Sequence, residues 1–224
     1  MSEGSFRLGM YAVGFILGFV LMGFEMLSSR YLNPYFGSGI YTWAAIISVT
    51  LFALMMGYFL GGWLVDRRPT AALLGVLVLM AAAWMAAIPF AADPLNAERY
   101  LGLQTPDMLL AIGGTFGYGP VGIGFGVTAA AFMLIFVPLT LIACFSPFAV
   151  RLLLVATHAS GRQTGAVYGI STFGNILGTL ATTFLLIPAI GSSAITWVFA
   201  AITAMMALVL MAMGRGMRAG QVAA

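Results

Sequence analysis

Apolar and polar positions alternate along this chain in long blocks rather than at helical or strand period. Six stretches run almost without charge: about 8–28, 42–65, 70–92, 126–146, 163–188 and 193–213. Each is long enough, or nearly so, for the ~20 residues that carry a helix across hydrocarbon. The pattern predicts an all-α integral membrane bundle of about six transmembrane helices in a single domain spanning 1–224. Between the third and fourth stretches lies the longest connection, 93–125. Its part 113–126 reads GGTFGYGPVGIGFG, with seven glycines among aromatics. An ordered external loop is one reading and a re-entrant segment, held by protein or water, the other. The stretch from Ser146 through Leu154 is too apolar for a free loop, and Pro147 suits a helix start. It predicts a short helix lying at the inner surface with Arg151 among the headgroups.

Composition supports the bilayer as solvent. Hydrophobic residues make up 62% of the 224 and charged residues 7%, against roughly 25% charged in soluble domains. The N-terminus does not read as a cleavable signal, because Arg7 is followed by an apolar stretch too long for one. The charges then set orientation. All nine basic residues are arginine. With the N-terminus inside, Arg7, Arg67, Arg68, Arg151, Arg162, Arg215 and Arg218 fall on the inner face, and Arg30 and Arg99 on the outer. Asp93, Glu98 and Asp107 join the outer face. This asymmetry satisfies the positive-inside rule and predicts six spans with both termini cytoplasmic, in a bacterial inner membrane. The positive charge is scattered over loops, so no nucleic-acid surface is expected.

Most catalytic chemistry finds no residues here. Gly117–Gly122 matches the letters GxGxxG but follows no strand, and no acidic residue stands near 20 positions on. Without lysine there is no phosphate-binding loop of the usual kind and no Schiff base. His158 has no partner at zinc spacing, and Cys144 has none for a disulfide. The expectation is no cofactor, no metal and no enzyme activity.

Three features invite a functional reading. Glu25 is an ionisable residue inside an apolar helix, near its outer end. It could pin helix ends by pairing with Arg30, or serve as a carboxylate that binds a cation or a proton. Tyr168, Thr172, Asn175, Thr179 and Thr182 are spaced 4, 3, 4 and 3, which places them on one helix face. They could bond between helices or line a solute path. Asp66, Arg67 and Arg68 form a tight inner turn between the second and third spans. That turn could latch helices or, with Arg151 and Arg162, dock a soluble partner. Glycine pairs four apart (Gly14/Gly18, Gly57/Gly61, Gly165/Gly169, Gly174/Gly178) predict close helix packing. Each half carries a Ser/Pro/Arg stretch after its first span, which hints at two inverted three-helix halves.

The stretch Glu25-Met26-Leu27-Ser28-Ser29-Arg30-Tyr31-Leu32-Asn33-Pro34-Tyr35-Phe36-Gly37-Ser38 is followed by Tyr41-Thr42-Trp43, Gly57-Tyr58-Phe59-Leu60-Gly61-Gly62 and Asp66-Arg67. Together with Ser146-Pro147 to Arg151-Leu152, Gly161-Arg162, Gly165, Tyr168, Ser171-Thr172, Gly174 to Gly178-Thr179 and Leu186-Ile187-Pro188, it resembles the membrane domain of the fused major-facilitator transporter/spermidine-synthase-like family. The likeness covers most of the chain outside 93–125. In that family a cytoplasmic aminopropyltransferase-like domain usually follows, and none lies within these 224 residues. The resemblance implies a membrane module for transport, with a polyamine or another amine metabolite as substrate and Glu25 as counter-charge. A homodimer is expected on that reading, since six helices are few for a complete pore. Two alternatives stand beside it: an accessory subunit of a larger membrane complex, and an anchor for a soluble synthase-like partner.

Overall fold

A computed structural model of the chain describes residues 3–92, 94–102, 104, 106–116, 119–154 and 160–222. His158, Asp93, Gly117 and Tyr118 lie outside them, so the expectations that rest on those residues have no structural counterpart here. The described residues form helices and short connections. α1 spans Glu3–Phe36, α2 Ile40–Arg67 and α3 Ala71–Ala92. α4 (Pro94–Leu101) and α5 (Met108–Phe116) are short. α6 (Pro120–Ala131), a π-helical segment Phe132–Phe136, α7 (Val137–Ala143) and α8 (Phe145–Leu154) follow end to end. α9 (Ser160–Ala181) leads through a second π-helical segment, Thr182–Leu186, into α10 (Ile187–Ala189), and α11 covers Ser192–Val222. Six of the resulting rods are long and apolar enough to cross a membrane.

The spans are longer than the apolar stretches alone suggest. α1 continues through Ser28-Ser29-Arg30 because both serine hydroxyls turn back onto their own helix. Ser28 Oγ donates to the Glu25 carbonyl at 2.6 Å and Ser29 Oγ to that of Met26 at 2.7 Å. This local bonding keeps the polar groups satisfied without ending the helix. The predicted surface helix at 146–154 is not a separate element. α8 continues the fourth span, with Cys144 N bonding to Thr140 O and Phe148 N to Cys144 O across the junction. Phe145, Phe148, Ala149 and Leu153 are buried against the bundle, which explains why so apolar a stretch stays inside it. Arg151 projects from it to the exposed surface. The connection 93–125 is likewise helical wherever it is described, apart from short links. α5 packs on the start of the fourth span and on α1, which makes it neither a loop nor a strand. Asp107 caps α5, its Oδ1 accepting from Leu110 N at 3.0 Å.

Each π-helical segment precedes a proline, Pro138 or Pro188, that cannot donate to the helix ladder. In the fourth span the widened turn leaves the Met133 carbonyl to accept from Trp84 Nε1 of α3 at 3.2 Å.

Packing pairs the first span with the fifth, the second with the fourth, and the third with the sixth. The first-to-fifth seam depends on backbone approach. A β-carbon on Gly174 would collide with the Phe15 carbonyl, one on Gly178 with the Phe19 carbonyl, and one on Gly18 with the Ser171 carbonyl. Gly57 and Gly61 do the same for the second and fourth spans, against Thr140 and Cys144. Gly165 and Gly169 meet nothing within 4 Å, so this glycine pair has no packing role among the described residues. Contacts along both glycine seams rise in step, which makes those spans parallel. The α3–α11 pair is antiparallel, with Ala72 beside Gly214 and Trp197 Nε1 donating to Ala86 O.

Exchanging spans one with four, two with five and three with six maps the packed pairs onto themselves. First–fifth becomes fourth–second, first–sixth becomes fourth–third, and first–second becomes fourth–fifth. This is the pattern expected of two inverted three-span halves. The alternation also gathers the ends bearing Arg7, Arg67, Arg68, Arg151, Arg162 and Arg215 on one face, with Arg30 and Arg99 on the other.

Candidate functional site

A cavity of about 70 Å³ lies between α1, α2, the α7–α8 junction and α9. Gly14, Leu17, Gly18 and Leu21 form its α1 wall, and Leu54 and Tyr58 its α2 wall. Ser146 enters from α8, and Tyr168, Ser171, Thr172 and Asn175 from α9. The glycines explain the position of the polar atoms. A β-carbon on Gly14 would lie 3.1 Å from Ser171 Oγ, and one on Gly18 would lie 2.9 Å from Asn175 Oδ1. Without those carbons, Ser171 and Asn175 sit directly against the α1 backbone.

Ser171 Oγ and Asn175 Oδ1 are enclosed and have no hydrogen-bond partner in the protein. In a bilayer such groups lack even water to fall back on unless the cavity holds some. The space admits several waters or a few heavy atoms of a solute. Tyr58 and Tyr168 flank the cavity from α2 and α9, both about two-fifths exposed. Among the described residues no formally charged side chain lines it. The arrangement can hold a small hydrogen-bonding molecule.

The polar stripe of the fifth span divides. Tyr168, Thr172 and Asn175 line the cavity as one set. Thr179 instead returns its hydroxyl to the Asn175 carbonyl at 3.0 Å. Thr182 is fully buried against α1, its hydroxyl 2.6 Å from where a β-carbon on Gly23 would stand.

Glu25 is 6% exposed and points toward α2, where the buried Thr50 hydroxyl lies beside its carboxyl outside good hydrogen-bond geometry. No ion pair joins Glu25 to Arg30. Because α1 is unbroken there, five residues turn the two side chains by about 140° from each other. Arg30 instead lines a separate cleft of about 730 Å³ at the other end, with Tyr31, Tyr35, Asp107 and Ser193. Tyr35 donates its hydroxyl to Asp107 Oδ2 at 2.7 Å, and Tyr31 and Thr196 share a bond of 2.8 Å.

At the arginine-bearing face, Asp66, Arg67, Arg68, Arg151 and Arg162 are all exposed. Arg67 stacks its guanidinium 3.7 Å from the Trp63 ring centroid. Among the described residues no group of three or more histidine, cysteine or acidic side chains could hold a metal.

Sequence reasoning missed Thr50, Tyr58, Ser146, Ser171 and Gln163 as partners. Tyr11 donates its hydroxyl to Gln163 Oε1, which ties the starts of α1 and α9 together. Gln163 is the first residue of the fifth apolar stretch and polar enough to have signalled this. Thr50, which with Ser48 interrupts a long apolar run, carried a weaker signal.

The fold and this site define a polytopic α-helical membrane protein with a polar cavity between four of its spans. Comparison with protein-family models, curated proteins and solved structures finds no match.

Proposed function

We propose that this chain is a transporter-like protein whose solute is small, polar and amine-bearing, with the cavity between α1, α2, α8 and α9 as its binding place. One observation carries the reading: Ser171 Oγ and Asn175 Oδ1 are enclosed at membrane depth without a protein partner. Leaving a buried polar atom unsatisfied costs about 1–3 kcal/mol. A solute or water bound in the cavity that both side chains line offsets that cost. Acceptor oxygens with tyrosine hydroxyls nearby suit a donor such as an amine. The resemblance noted in the sequence agrees with the amine class.

The test is uptake of labelled putrescine by vesicles containing the purified protein. Replacing Asn175 with leucine abolishes uptake while the protein still extracts as a folded species. Unchanged uptake in that variant removes the cavity from the pathway.

A second reading has its own observation. Tyr58, Tyr168 and Thr172 are exposed on the α2 and α9 faces, and Gly161, Gly165 and Gly169 beside them meet nothing. Polar groups and bare glycine backbone are poor partners for lipid tails. This favours cover by protein, either a second copy or another subunit of a membrane complex. Mass measurement after gentle detergent extraction separates the two. Anchoring of a soluble synthase-like partner would use the exposed arginines, and co-purification in the same extraction tests it.

A further inference from the structure

We propose that Glu25 is a proton-exchange site, set one helical turn beyond the cavity and walled from it by Leu21 and Leu54. The proposal rests on the transport reading above and adds what drives it.

The geometry comes from two helix faces. α1 presents Gly14, Gly18 and Leu21 to the cavity, and Glu25 follows Leu21 by one turn on that same face, about 6 Å further along the axis. α2 presents Tyr58 and Leu54, and Thr50 precedes Leu54 by one turn. The two helices run in opposite directions, so both steps lead away from the arginine-bearing face. The order is therefore cavity, leucine layer, then carboxyl and hydroxyl.

The site's chemistry narrows its ligand. Glu25 is 6% exposed and Thr50 2%, so the packing around them leaves no volume for the solute. A divalent metal would need about six oxygen ligands, and these two side chains do not supply them. Among the described residues no cationic side chain pairs with the carboxyl. On the elements packed against α1, the charged residues (Asp66, Arg67, Arg151, Arg162, Arg215) stand at the arginine-bearing ends. The other titratable groups along these faces are Tyr58 and Tyr168 at the cavity, Cys144 with its thiol bonded to the Thr140 carbonyl, Tyr31 bonded to Thr196, and Arg30, which is turned into the separate cleft. A proton is the one ligand that needs no space and removes the charge that burial penalises. While Leu21 and Leu54 are packed, the carboxyl keeps its proton. When they part and cavity water arrives, the proton passes to that water, and the Thr50 hydroxyl donates to the carboxylate left behind.

Vesicles of phosphatidylethanolamine and phosphatidylglycerol, loaded with a pH-sensitive dye, test this with putrescine as probe. Glu25→Gln is expected to keep putrescine exchange without a pH gradient within twofold of the unaltered protein. It is expected to lose at least tenfold of the acceleration by an imposed gradient, and Glu25→Asp to retain part of it. Gradient-driven uptake that survives in Glu25→Gln overturns the proposal. Absence of putrescine exchange in the unaltered protein instead sinks the transport reading. A second measurement needs no solute. Leu54→Ala is expected to open a proton leak that the dye reports, and adding Glu25→Gln to close it. A leak unaffected by Glu25→Gln overturns the site. Size-exclusion profiles confirm that each variant is folded.

Discussion

Gly174 of α9 lies so close to Phe15 of α1 that any β-carbon there would run into the Phe15 carbonyl oxygen. The obstacle is backbone on both sides and cannot rotate away. Gly174→Ala should therefore destabilise the bundle by about 1–3 kcal/mol, the range for overpacking, and Gly178→Ala should do the same. Gly165→Ala has open space and a helix-favouring methyl, so it should gain about 0.5–1 kcal/mol in the single chain. Thermal unfolding in mild detergent ranks the three. A destabilised Gly165→Ala protein would show that a partner occupies that groove.

Asn175 and Ser171 offer the opposite case. Their unpaired atoms contribute little to the fold, so Ser171→Ala should leave the melting temperature unchanged or slightly raised. Putrescine uptake should fall several-fold in the same protein. A clear loss of stability without a change in uptake would assign Ser171 to helix packing.

At the far end, the Asp107 carboxylate divides its two oxygens between the Tyr35 hydroxyl and the first turn of α5. Asp107→Ala removes both bonds. Loss of the cap costs about 1 kcal/mol, confined to a short helix outside the main seams. Hydrogen exchange should speed up at the Leu110 and Ala111 amides and remain slow through α3 and α11. Uniform acceleration would make α5 part of the cooperative core.

Orientation is open to direct measurement. With Cys144 replaced by alanine, a cysteine at Arg68 should resist a membrane-impermeant thiol reagent applied to intact cells. One at Leu101 should react. The reverse pattern would turn the bundle over and put the arginine-bearing face outside.

The number of spans and their class could be read from the sequence because a helix in hydrocarbon must be long, apolar and self-satisfied, and each requirement marks the chain locally. Pairing is a different matter. Nothing local tells Gly174 that Phe15 is its neighbour, although the glycine spacing on both helices announced a close approach somewhere. Glu25 was visible as an anomaly, but a pairing with Arg30, one of its two readings, needed the long arginine arm or a helix end at Ser28-Ser29. The serine hydroxyls closed onto their own carbonyls and carried the helix through. The stripe on α9 was legible as a face. Its division into cavity lining and packing depended on where α1 offers glycine.

The packing of first against fifth and second against fourth has a consequence for synthesis. Each of the first two spans emerges from the ribosome before its main partner exists, and α3 waits for α11. The early spans must therefore rest in the bilayer as loosely associated rods, with Glu25 and the bare glycine faces lacking their final neighbours. The bundle closes only once α11 has been made. A truncation after the fourth span should leave an insertable chain in which the second and fourth spans pack while the first and third lack their main partners.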